Sequence, residues 1–190
     1  MTTAGSYVSG RGSWRRVWTQ TTIGDDCSML VLRATKKLRD RIGGLPPVDG
    51  ETSTTLLGDW YANFLPWRPQ TAILVNARTL LPVLTPLAPA KGLPGRIAEV
   101  IAEALIDQSV PPEIIDAEIE QMKEVRVGPT ADRGVVGSMN DFIFLADHRR
   151  DGVPDLPQLS KELARVPCGP LFKKHVRPEA ELAAFVAAQR

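Results

Sequence analysis

Ile73, Leu74 and Val75 form an unbroken run of large aliphatic residues, and that run constrains the architecture more than any other stretch. A strand with one wet face alternates apolar and polar side chains, so consecutive aliphatics in a strand require cover on both faces. Ala72 to Val75 and Leu80 to Thr85 flank a short polar connection, "NART", and read as a hairpin. The sheet that contains it is expected to carry helices over its faces.

The remaining segments fit that frame. "MLVLRATKKL" from Met29 reads as a short strand followed by a basic turn or helix, and "GGLPPVDGE" at 43–51 is a Gly/Pro loop that interrupts regular structure. Thr54 to Leu65, "TTLLGDWYANFL", reads as a strand whose alternation puts Asp59, Tyr61 and Asn63 on one face and Trp60 on the other. Val125 and Val127 mark another short strand. Arg96 to Asp107 repeats Ile97, Val100, Ile101, Ala104 and Leu105 at helical spacing, with its acids off the stripe. A second helix follows "VPP" and aligns Ile115, Ile119 and Met122 beneath an acidic outer face.

"GSMNDF", 137–142, reads as a helix start: Ser138 as N-cap, Asp141 completing a capping box, and Met139, Phe142, Ile143 and Ala146 as the buried stripe. Further helices are expected near Gln158 to Val166 and after Pro178, joined by the Pro-rich loop "PCGPLFKKHVRP". The expected fold is α+β, a small mainly antiparallel sheet covered by four to five helices, in one globular domain over 29–190.

Residues 1–28 are polar and aperiodic, and no independent fold is expected there. Met29 reads as a natural domain start, with the preceding residues either a flexible arm or an over-long or vector-derived extension. Lys+Arg at 23 against Asp+Glu at 22 leaves a formal charge of +1, so no strong overall field draws the chain to polyanions or acidic membranes. Residues 1–50 carry eight Lys/Arg against four Asp, however, and residues 92–127 carry eight acids against three bases. Two cysteines, Cys27 and Cys168, are too few for a disulfide framework or a zinc site. No apolar stretch approaches the roughly 18 residues of a membrane span, and no signal-peptide core is present. A cytoplasmic protein without membrane partners is expected.

The sequence lacks the Walker phosphate loop, G-x-G-x-x-G, H-E-x-x-H, C-x-x-C and G-x-S-x-G patterns. Cys168 and His175 offer a nucleophile and a base seven residues apart. Free cysteine is also commonly a small buried hydrophobe, the more ordinary reading here. A second polar set comprises Asp59 and Asn63, Asn76 and Arg78, and Asn140 and Asp141. Its carboxylates and amides suit Mg²⁺ and Arg78 suits a phosphate, although the same residue types also serve as turn formers and caps. "SWRRVW", 13–18, interleaves Trp with Arg as single-stranded nucleic-acid binders do, but within a segment that has no periodicity.

Taken together, "LVLRATKKL", "GDWYAN", "VNARTLLPVL", "GSMNDF" and "PCGPL" resemble a bacterial family known only as a domain of unknown function, over roughly Met29 to Phe185. The resemblance implies a bacterial, cytoplasmic domain and carries no catalytic residues with it. The expectation is a non-catalytic binding or regulatory domain that meets nucleic acid or another protein through Arg33, Lys36, Lys37 and Arg39, with Asn63, Asn76 and Asn140 as further binding residues. The alternative is a metal-dependent phosphate-ester hydrolase in which Asp59 and Asp141 hold Mg²⁺ and Arg78 stabilises charge. No cofactor is expected outside that alternative, and a Cys168 hydrolase trails both.

Overall fold

The computed structural model describes residues 28–47, 50–152, 155–168 and 177–189. The first strand, β1 (Met29–Ala34), leads through Thr35 into a short helix, α1 (Lys36–Ile42). Three strands follow: β2 (Trp60–Leu65), β3 (Thr71–Asn76) and β4 (Pro82–Pro86). Helices α2 (Leu93–Asp107) and α3 (Pro112–Glu120) precede β5 (Glu124–Pro129), and α4 (Arg133–Arg149), α5 (Leu156–Ala164) and α6 (Pro178–Ala187) complete the domain.

The strands form one mixed sheet in the order β4-β3-β2-β1-β5. β2, β3 and β4 make an antiparallel meander, and the expected hairpin joins β3 to β4 with Val75 opposite Pro82. β1 is parallel to both of its neighbours, β2 and β5. The α+β expectation holds. The described residues contain six α-helices, more than the four to five expected, because the basic segment after β1 is helical.

Period-two alternation sorts the strand side chains into two cores. Leu30, Leu32, Trp60, Ala62, Ala72, Leu74 and Val83 face one layer, where they meet Leu38, Ile97, Ile101, Leu105, Ile115 and Leu182 from α1, α2, α3 and α6. Tyr61, Leu65, Ile73, Val75 and Leu84 face the other, against Val135, Met139, Phe142 and Ala146 of α4 and Leu159 and Leu163 of α5. Ile73, Leu74 and Val75 are thus fully buried because successive members of the run feed opposite cores. Trp60 and Phe142, both fully buried, anchor one layer each, and truncating either to Ala costs about 3–5 kcal/mol.

Three local expectations are corrected. The strand expected over Thr54 to Leu65 begins only at Trp60, because residues 55–58 form a turn in which Thr55 Oγ1 donates to Gly58 O and Gly58 takes φ +75°. Ser138 is not a cap. Helix α4 starts at Arg133, and Asp132 caps it by accepting from Gly134 N (2.7 Å) and Val135 N (3.3 Å), so "GSMNDF" lies inside the helix. Met139, Phe142 and Ala146 do form its buried stripe. One acid of α3 is not on its outer face: Glu118 is fully buried, while Glu113, Asp116 and Glu120 are exposed.

Candidate functional site

Most of the polar residues singled out in the sequence tie the fold together. Asp59 receives Arg33 Nε at 2.9 Å on one carboxylate oxygen, while the other accepts from Ser53 N (2.9 Å) and Ser53 Oγ (2.7 Å). Arg33 also donates to Glu51 O at 3.0 Å, so the pair pins the 51–53 segment beside β1. Asn63 Oδ1 accepts from Thr35 Oγ1 at 2.8 Å across the β1–β2 junction.

Asn76, fully buried, builds the β3–β4 turn: its Oδ1 accepts from Arg78 N (3.0 Å), Thr79 N (2.9 Å) and Thr79 Oγ1 (3.1 Å). Arg78 reaches back to Leu56 O at 3.0 Å and lies over the Phe185 ring at 5.2 Å. Asn140 and Asp141 are exposed on α4. Among the described residues no group of three or more His, Cys, Asp or Glu is arranged to hold a metal.

Cys168 is buried in the α4/α5 core, and burial pushes its thiol above the ordinary value, with smaller upward contributions from Asp141 and Glu181. An activated thiolate needs the opposite shift. His175 and "SWRRVW" lie outside the described residues. On α1, Lys36 pairs with Asp40 at 2.9 Å, Lys37 is exposed, and Arg39 is half-buried with an unpartnered Nε. Arg41 stacks over Phe64 at 4.2 Å.

A site that the sequence reading did not nominate lies along the free edge of β4. A groove of about 430 Å³ runs there between α2 and α5, walled by Pro82, Leu84, Val100, Ala104, Leu156 and Pro157. Lys161 of α5 meets Asp107 of α2 at 2.9 Å across it, and Glu103 and Asp155 stand on its rim. Its size is that of a small-molecule site, which typically encloses roughly 300–1,000 Å³.

The chemistry of that edge follows from the ladder. Asn76 N bonds Leu81 O and Leu87 N bonds Gln70 O, a phase that turns Val83 and Thr85 toward β3 and leaves Pro82, Leu84 and Pro86 outward. The two prolines have no N–H, and the Leu84 N–H is taken by Ser160 Oγ at 2.8 Å. None of the three outward positions offers a free donor, whereas their carbonyls remain acceptors. Arg96 occupies that of Pro86. The available sequence signal was the spacing of Pro82 and Pro86, which puts both on one side of a strand.

The family described as a domain of unknown function (DUF6933) matches residues 31–181, nearly the span expected from the sequence blocks. No curated protein matches the chain, and no solved structure matches it.

Proposed function

The chain belongs to the DUF6933 family, a domain of unknown function, and on that footing we propose that it is a ligand-binding domain whose seat is the groove between α2, β4 and α5. The observation that carries this reading is an apolar, correctly sized groove at a sheet edge whose backbone donors have been removed or capped. Apolar walls supply affinity through desolvation, and a few polar groups on the rim orient what enters. The test is a titration of 1-octanol followed by methyl NMR. Saturable shifts at Val83, Leu84, Val100 and Leu156, abolished by Ala104→Trp, support the reading, and shifts absent from those methyls count against it.

A second reading keeps α1 as a contact for nucleic acid. Lys36, Lys37 and Arg41 are exposed on seven residues of helix that carry a single acid, Asp40. Binding of a labelled mixed-sequence oligonucleotide that weakens with salt, and weakens further when Lys36, Lys37 and Arg39 become Glu, supports it. Binding unchanged by those reversals removes α1 from consideration. A phosphate-ester hydrolase built on Asp59 would have to exchange three hydrogen bonds, from Arg33 Nε, Ser53 N and Ser53 Oγ, for Mg²⁺.

A further inference from the structure

We infer that the groove takes a small organic cation, an apolar body carrying one protonated amine. This rests on the ligand-groove reading above and assigns its occupant. Three carboxylates, Glu103, Asp107 and Asp155, line the groove against one ammonium, Lys161, which leaves two negative charges in excess. Asp107 is matched by Lys161, while Glu103 and Asp155 have no cationic partner among the described residues. Pro82 and Leu84 line the same groove, and their outward carbonyls are unaccompanied by any free N–H. The charged side chains that line the groove without a counter-ion are therefore both carboxylates, beside the neutral Gln108 and Thr85. A positively charged donor answers both features at once, and the apolar walls receive the rest of the molecule.

The edge also selects against a polypeptide. An extended peptide that adds to a sheet needs donors and acceptors in alternation along the strand it joins. At Pro82, Leu84 and Pro86 the donor half of that pattern is missing. A small amine asks only for acceptors.

The test compares octylamine, 1-octanol and octanoate, three probes with the same tail and different heads, on the full chain by methyl NMR at low and moderate salt. Octylamine is expected to bind at the groove methyls about tenfold more tightly than 1-octanol at low salt, with octanoate weakest and the preference shrinking as salt screens it. Asp155 also caps α5, its Oδ1 accepting from Gln158 N at 2.8 Å, a role that Asn keeps. In the double variant E103Q/D155N two charges are removed, so the preference for the amine should fall to within about threefold.

Equal binding of all three probes, or best binding by octanoate, overturns the cation inference and leaves the groove reading standing. Octylamine held as tightly by E103Q/D155N as by the unaltered chain also overturns it. Tighter binding of an acetylated, amidated Val-Lys-Val-Lys-Val peptide at the same methyls would reassign the groove to a polypeptide partner. Failure of all three probes to move the groove methyls removes the groove reading itself.

Discussion

Glu118 and Asn76 grip one residue from two sides: Glu118 Oε2 accepts from Leu57 N at 3.0 Å, and Asn76 Nδ2 donates to Leu57 O at 3.1 Å. All three residues are buried, so the turn that feeds β2 is held by one acid from α3 and one amide from the end of β3. Burial raises the Glu118 carboxyl above its ordinary value of 4.5, against weaker opposing pulls from Leu57, its neighbours and Arg78.

That shift has a sign. The folded state prefers protonated Glu118, so its contribution to stability is complete below pH 4.5 and is lost as pH rises through the raised folded value. Urea unfolding across that window should show Glu118→Gln with a flatter pH dependence than the unaltered chain and a relative gain at the upper end. Parallel curves for the two proteins would mean that Glu118 does not carry the effect.

Asn76→Ala removes an acceptor of three hydrogen bonds and the donor to Leu57 O. Each buried group left unpaired costs about 1–3 kcal/mol, so a loss of about 3 kcal/mol or more is expected by chemical denaturation. A loss below about 1 kcal/mol would contradict the role assigned to the amide in the β3–β4 turn.

Inside α4, Gly137 has open space where a Cβ would go, and Ser138 buries a hydroxyl that finds no partner. Gly137→Ala should therefore stabilise by about 0.5–1 kcal/mol. Ser138→Ala should be neutral or stabilising, whereas a true N-cap serine loses about 1 kcal/mol on the same change. Thermal unfolding of the two variants separates helix interior from helix start.

Much of the fold can be read from the sequence because periodicity survives chemistry. The Trp60/Tyr61 alternation, the β3–β4 hairpin and the α2 stripe all follow from spacing and appear as expected. Even Glu118 sits at i+3 from Ile115, on the buried stripe of α3; its charge is what argued for an outer face. "GSMNDF" misled because Ser138 with Asp141 three residues on has the spacing of a capping box, while the working cap, Asp132, stands one residue before the helix. The groove was not legible as a site, since α2, β4 and α5 supply it from distant parts of the chain.

Asp59 and Asp141 should behave differently. Asp59→Asn loses its charge opposite Arg33 within a partly shielded site and should destabilise by about 1–2 kcal/mol. Asp141→Asn, exposed on α4, should change stability by less than about 0.5 kcal/mol. Equal effects in denaturant titrations would remove the structural role given to Asp59.

Restoring backbone donors to β4 should alter its association. The triple variant P82V/P86V/S160A gives the edge three outward N–H groups and should self-associate with concentration in sedimentation velocity. A variant that associates no more than the unaltered chain would show that α2 and α5, not the prolines, keep that edge from pairing.

The position of β1 between two parallel partners bears on the order of assembly. Leu65 finds Thr71 across one tight connection, whereas Met29 finds Glu124 only after almost the whole sheet and two further helices have been made. Loop closure makes the first pairing fast and the second slow. β5 is then the last strand admitted, and until it arrives the side of β1 away from β2 is open to any neighbouring chain.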